Sequence, residues 1–136
     1  MIGMKNVGLS YGPKVIFEKL NCTVEAGDFV MIIGPNGVGK TTLFDLVSGV
    51  ALPDHGEIFC NGQNVTKIDY AGRSNVVLRI FQNPSQNIVG DMTVRENLAL
   101  AMLRARSANL SHWTSVLQGV DERALFAPMG QDIEVL

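Results

Sequence analysis

The chain has 136 residues, enough for one domain with its own core, and its 46% hydrophobic and 18% charged content is that of an ordered globular protein. A net charge of −2 and a pI near 5.6 argue against nucleic acid or an acidic membrane surface as a direct partner, since either would favour a clear basic excess. No stretch approaches the roughly 20 apolar residues that span a bilayer, Met1-Ile2-Gly3-Met4-Lys5 does not read as a secretion signal, and Cys22 and Cys60 lack a C-x-x-C spacing, so two reduced, packed thiols in a cytoplasmic protein are expected.

Residues 4–9 and 15–24 are predicted strands, separated by turn chemistry at Ser10-Tyr11-Gly12-Pro13 and followed by a turn at Glu25-Ala26-Gly27, which together suggest an antiparallel sheet. The run Phe29-Val30-Met31-Ile32-Ile33 is apolar on both alternating faces, as expected of a strand buried beneath helices in a parallel sheet, and it ends at Gly34. Beyond a glycine-rich segment, Leu43, Leu46, Val47 and Val50 repeat at helical spacing, with Pro53 and Gly56 closing the element. Residues 57–60 and Val65 flank Asn61-Gly62, a hairpin signal, and residues 76–81 read as a second buried strand ending at Gln82.

The texture then turns helical. Thr93 with Glu96 forms a capping-box pattern before Val94, Leu98, Ala101, Met102 and Ala105, and Trp113, Val116, Leu117 and Val120 mark a second helical face. These elements divide the chain into a β-rich part, 1–92, and a helical part, 93–136, with no repeat or linker. His55, in a turn, and His112, at a helix start, have no metal-ligand partner at suitable spacing and read as surface residues.

One motif carries chemistry. Gly34, Pro35, Asn36, Gly37, Val38, Gly39, Lys40 and Thr41 fit G-x-x-x-x-G-K-[ST], the phosphate-binding loop of ATP- and GTP-binding proteins. A loop that wraps a phosphate turns its backbone N–H groups inward through conformations closed to residues with a Cβ, and the glycines supply that freedom. The helix that follows aims its positive end at the same anion. Lys40 is placed to reach the β and γ phosphates, the Thr41 hydroxyl to ligate Mg²⁺, and Thr42 to add a phosphate contact. The loose guanine-reading pattern Thr66-Lys67-Ile68-Asp69 and the D-x-x-G pattern at Asp69 lie too close to the loop, and in the wrong order, for a GTPase.

The wording around the loop, GPNGVGKTTLFDLVSGVALPDHGEIFCNGQNV at 34–65, resembles the ATP-binding subunits of ABC transporters, and the likeness covers nearly the whole chain. It implies an α/β P-loop NTPase fold: a RecA-like core with an N-terminal antiparallel β-sheet and the start of a helical subdomain. It further implies that Tyr11 stacks on the adenine, and that Gln82, in Phe81-Gln82-Asn83-Pro84, takes a catalytic role by ligating Mg²⁺ or the attacking water, with residues 83–91 as a mobile coupling segment. The segment Met92-Thr93-Val94-Arg95-Glu96-Asn97 matches the opening of the family's next helix.

By the same resemblance, ATP and Mg²⁺ are the cofactors, and the partners are a transmembrane permease subunit and a second ATP-binding subunit, with membrane contact only through the permease at its cytoplasmic face. The family's L-S-G-G-Q signature, the apolar strand ending in Asp-Glu and the switch histidine have no match in these residues, so the chain is expected to be incomplete relative to a whole cassette and to bind ATP far better than it hydrolyses it. Two other readings stay open at this point: a truncated nucleotide-binding module without turnover, and a soluble ABC ATPase unconnected with transport.

Overall fold

Strand β1 (Ile2–Tyr11) alternates side chains between two faces, and the face carrying Val7 and Leu9 is sealed from solvent. It turns through Gly12-Pro13 into β2 (Lys14–Val24), with Tyr11 opposite Lys14 and Ile2 opposite Val24. On its other edge β1 takes β3 (His55–Cys60), also antiparallel, with Ile2 opposite Cys60 and Lys5 opposite Glu57. The Asn61-Gly62 turn, both residues at positive φ, leads into the short β4 (Gln63–Asn64), giving the order β2-β1-β3-β4. The expected antiparallel sheet is therefore present, and it is longer than the sequence pattern suggests.

The computed structural model describes residues 1–104 and 113–121, and the chain divides after Arg79 into two compact units. In the first, Met4, Val7 and Leu9 of β1, Ile58 and Cys60 of β3, Val65, and Leu46 of helix α1 (Lys40–Ser48) form one core. Each such aliphatic side chain contributes about 1.5–3 kcal/mol by leaving water, and β1 supplies most of them because it is a central strand. The Thr66 hydroxyl oxygen accepts from the Ile58 amide at 2.9 Å, and Asp69 caps the four-residue α2 (Tyr70–Arg73) by accepting from the Gly72 amide at 2.9 Å. The residues of the rejected guanine-reading pattern thus have structural work.

His55 opens β3 rather than sitting in a turn, and its imidazole lies over Gly8, with Nε2 paired to the Glu18 carbonyl at 2.8 Å. His112 and Ala105 lie outside the described residues.

The two runs expected to be buried strands are not strands. Residues 29–33 and 76–81 belong to no ladder, and the first run leaves Phe29 89% and Ile33 84% exposed, the second Leu78 77% and Ile80 80%. A strand exists only where a neighbour accepts its N–H and C=O groups, and among the described residues no strand lies beside either run. Their apolar character still marks them as segments that favour burial, but pattern alone supplies no partner.

In the second unit, a 3₁₀ turn (Pro84–Gln86) precedes α3 (Val94–Arg104) and α4 (Trp113–Gly119), which lie against each other, with Ala99 and Val120 buried. The capping box forms as expected. Glu96 accepts from the Thr93 amide at 2.8 Å and from its hydroxyl at 2.9 Å, while the Glu96 amide reaches back to that hydroxyl at 3.3 Å. Among the described residues, no helix is long and apolar enough to cross a membrane.

Candidate phosphate-binding site

Helix α1 starts at Lys40 with its first N–H groups uncapped by any side chain and with no acidic residue in its first turn. The first four amides of any helix lack intrahelical acceptors, so this terminus presents positive charge and free donors to an anion. Its N-cap, Gly39, has φ of 105°, in the left-handed region that favours glycine. A Cβ on Gly39 would also lie 3.0 Å from Ile16 Cγ2 and from Phe17 Cζ, so the loop is seated directly on β2.

The loop folds back on itself. The Lys40 ammonium donates to the Gly34 carbonyl at 2.7 Å and to the Pro35 carbonyl at 2.8 Å, six and five residues upstream. Its partners are neutral oxygens, which a phosphate can replace with a stronger, charge-assisted bond. Gly37 also takes a positive φ, and Val38 lies half-exposed with its side chain against Gly34. Thr41 is exposed on the first turn and Thr42 partly buried. Residues 34–42 are thus brought together as a single turn-and-helix feature.

Tyr11 ends β1 and is 53% exposed, on the same hairpin whose Ile16 and Phe17 seat Gly39. Gln82 is exposed and belongs to the second unit. There the Asn87 carboxamide pairs with both backbone groups of Phe81, accepting from its N–H at 2.8 Å and donating to its C=O at 2.9 Å. Asn97 does the same for Val89, accepting at 2.8 Å and donating at 3.1 Å, and it also donates to the Met92 and Thr93 carbonyls. These two amides act as substitute peptide groups that shape residues 81–93.

Sequence reasoning missed the roles of those asparagines, since Asn87 read only as part of the polar segment 83–91 and Asn97 only as part of a helix opening, and it missed two arginines. Arg73 is fully buried and donates to the carbonyls of Leu46, Val47, Thr66 and Ile68. Arg79 donates to the Asp45 carboxylate and to the Ser48 hydroxyl. Nothing in the sequence marks them, because an arginine ordinarily belongs to the surface. Burial lowers the Arg73 pKa from its usual value, against the opposing influence of Cys60 and Asp69. Burial likewise raises the thiol pKa of Cys22 and Cys60, both free, which keeps them protonated and poorly nucleophilic.

Among the described residues, no group of three or more His, Cys, Asp or Glu could hold a metal ion. The Thr41 hydroxyl on the first turn is an oxygen donor of the kind that Mg²⁺ takes beside a phosphate's own oxygens.

Comparison with known proteins agrees with this geometry. The sequence model described as "ABC transporter" matches residues 17–131. The chain is 41% identical over 115 residues to a tyrosine transport ATP-binding protein of Clostridioides difficile, covering 81% of this chain and 46% of that protein. It is 35% identical over 103 residues to MlaF, the ATP-binding protein of an intermembrane phospholipid transport system of Escherichia coli, covering 73% and 37%. A solved ATP-binding cassette of an ABC transporter in its ADP conformation superposes with a TM-score of 0.66 at 27% identity, covering 85% of this chain and 45% of that one. The chain thus spans less than half the length of these relatives. The matched residues, the sheet and the phosphate loop lead to one conclusion: the chain belongs to the ABC transporter family of ATP-binding proteins.

Proposed function

We propose that this chain holds the phosphates of Mg·ATP within an ABC transporter subunit that couples ATP hydrolysis to membrane transport. The observation that carries the reading is the uncapped N-terminus of α1 behind a left-handed Gly39, with the Lys40 ammonium folded back onto the loop carbonyls. In this role the backbone of Gly34, Pro35, Asn36, Gly37, Val38 and Gly39 surrounds the terminal phosphates, and Lys40 neutralises their charge. Thr41 ligates Mg²⁺, Thr42 adds a phosphate contact, and the exposed ring of Tyr11 stacks on the adenine. Bound Mg²⁺ supplies charge neutralisation on the β and γ phosphates. The assignment of Gln82 as catalytic residue and second magnesium ligand rests on the sequence pattern Phe81-Gln82-Asn83-Pro84.

The relatives' names support a transport role: one is a tyrosine transport ATP-binding protein, another belongs to an intermembrane phospholipid transport system, and a third, of Pasteurella multocida, is a spermidine/putrescine import ATP-binding protein. A permease subunit and a second ATP-binding subunit are accordingly the proposed partners, at the cytoplasmic face of a membrane. Titration with a fluorescent ATP analogue tests the phosphate site. Lys40→Ala is expected to weaken binding by roughly 10- to 100-fold, the effect of removing a charge-assisted phosphate contact, and chelation of Mg²⁺ is expected to weaken it as well. An unchanged affinity in Lys40→Ala would sink the reading.

A further inference from the structure

The last turn of α1 carries no basic residue of its own, and its C-cap is Gly49 at φ 81°. Its final carbonyls lack intrahelical donors, as those of every helix do. They are met from outside: Arg73 Nη1 reaches the Leu46 carbonyl at 2.5 Å and the Val47 carbonyl at 3.0 Å. The same guanidinium binds the Thr66 carbonyl at 3.3 Å and the Ile68 carbonyl at 2.7 Å, so it ties the helix end to the segment before α2. A Cβ at Gly49 would lie 2.8 Å from the Asp69 carbonyl carbon and 2.9 Å from the Tyr70 amide nitrogen, so the two backbones touch here.

A second cation grips the same turn. Arg79 Nη1 lies 2.5 Å from Asp45 Oδ1 and 3.1 Å from the Ser48 hydroxyl, which itself donates to the Phe44 carbonyl at 2.7 Å. The N-terminal half of α1 is held by packing, with Leu43 against the core and Gly39 against Ile16 and Phe17, while Thr41 and Phe44 are exposed and the first turn has no side-chain cap. A nine-residue helix is a rigid rod about 13 Å long. Where such a rod is tied by hydrogen bonds at one end, those bonds help to set where its other end points.

We propose that Arg73 and Arg79 are positioning residues of the phosphate site: they fix α1 at its C-terminal end and thereby aim its N-terminal amides and Lys40. The inference rests on the nucleotide reading above and adds two residues that touch no nucleotide. It separates affinity from fold, because a helix free to tilt by a few degrees keeps its packing yet displaces its first amides by a fraction of an ångström.

The test measures Mg·ATP affinity and thermal unfolding on the same samples of wild type, Arg79→Gln, Arg79→Lys and Arg73→Lys, at a temperature where each is folded. Arg79→Gln is expected to bind about 3- to 10-fold more weakly, and Arg73→Lys at least as weakly, because one ammonium cannot serve four carbonyls. Arg79→Lys, which keeps a cation for Asp45, is expected to recover part of the loss. A folded Arg79→Gln with wild-type affinity overturns the proposal, whereas a wild-type chain that binds no Mg·ATP overturns the nucleotide reading itself. Hydrogen exchange on the wild type decides the matter should the variants unfold. Mg·ATP is expected to slow exchange at the Val76 and Val77 amides, both bonded to the Arg73 carbonyl, as well as in the phosphate loop. Protection confined to residues 34–43 overturns the proposal.

Discussion

Strands β1 and β3 interleave apolar with polar residues and form the core, whereas the more uniformly apolar runs at 29–33 and 76–81 lie largely exposed. The difference is one of connection. β1 meets β2 through a two-residue turn and β3 through its other edge, so nearby antiparallel chain satisfies its N–H and C=O groups and covers its apolar face. The runs at 29–33 and 76–81 have the largely apolar texture of parallel-sheet strands, which pair only with strands brought in over long crossovers. Apolar sequence is thus a statement of demand; burial requires a neighbour that topology supplies.

The largest expected effect sharpens this contrast. Ile58→Ala, at a fully buried position of β3, is expected to destabilise the first unit by about 2–5 kcal/mol, while Leu78→Ala in the exposed run changes stability by less than about 0.5 kcal/mol. Urea unfolding followed by circular dichroism checks both, and equal losses would break the comparison. Next comes Gly49→Ala, where a positive φ and the contact with the start of α2 act together. A loss of about 1–3 kcal/mol is expected, larger than an exposed helix substitution gives.

The smallest effect lies in the second unit. Hydrogen bonds from the Thr93 amide, and then its hydroxyl, hold the Glu96 carboxyl below the usual carboxylate pKa. A depressed folded-state pKa gives stability that is present above the unfolded value, about 4.3, and lost as pH falls through the folded value. Hydrogen exchange at the start of α3 should therefore quicken on acidification below about pH 4.3, and Glu96→Gln should flatten that dependence. A wild-type profile retained in Glu96→Gln would assign it to another group.

Most of the candidate site's local shape was legible from residues alone. The phosphate loop is a local device: glycine conformations, a helix terminus and one lysine all lie within residues 34–42, and the capping box at Thr93 and Glu96 is equally local. The Asn61-Gly62 turn announced its hairpin for the same reason. Arg73 and Arg79 were illegible because their roles depend on acceptors 26 to 34 residues away, on a helix they do not share. Asn87 and Asn97 were illegible because a carboxamide that imitates a peptide group leaves no periodic trace. His55 looked like a turn residue until β1 and β3 were paired.

What the residues determined unaided is therefore structure that closes within a few positions along the chain: the glycine-rich loop, the caps and the turns, where short-range sterics and hydrogen bonding leave few alternatives. Tertiary structure alone decided which apolar segments found cover and which cations took hold of α1, because burial and long-range hydrogen bonds depend on what the fold sets beside a residue rather than on what precedes it in sequence.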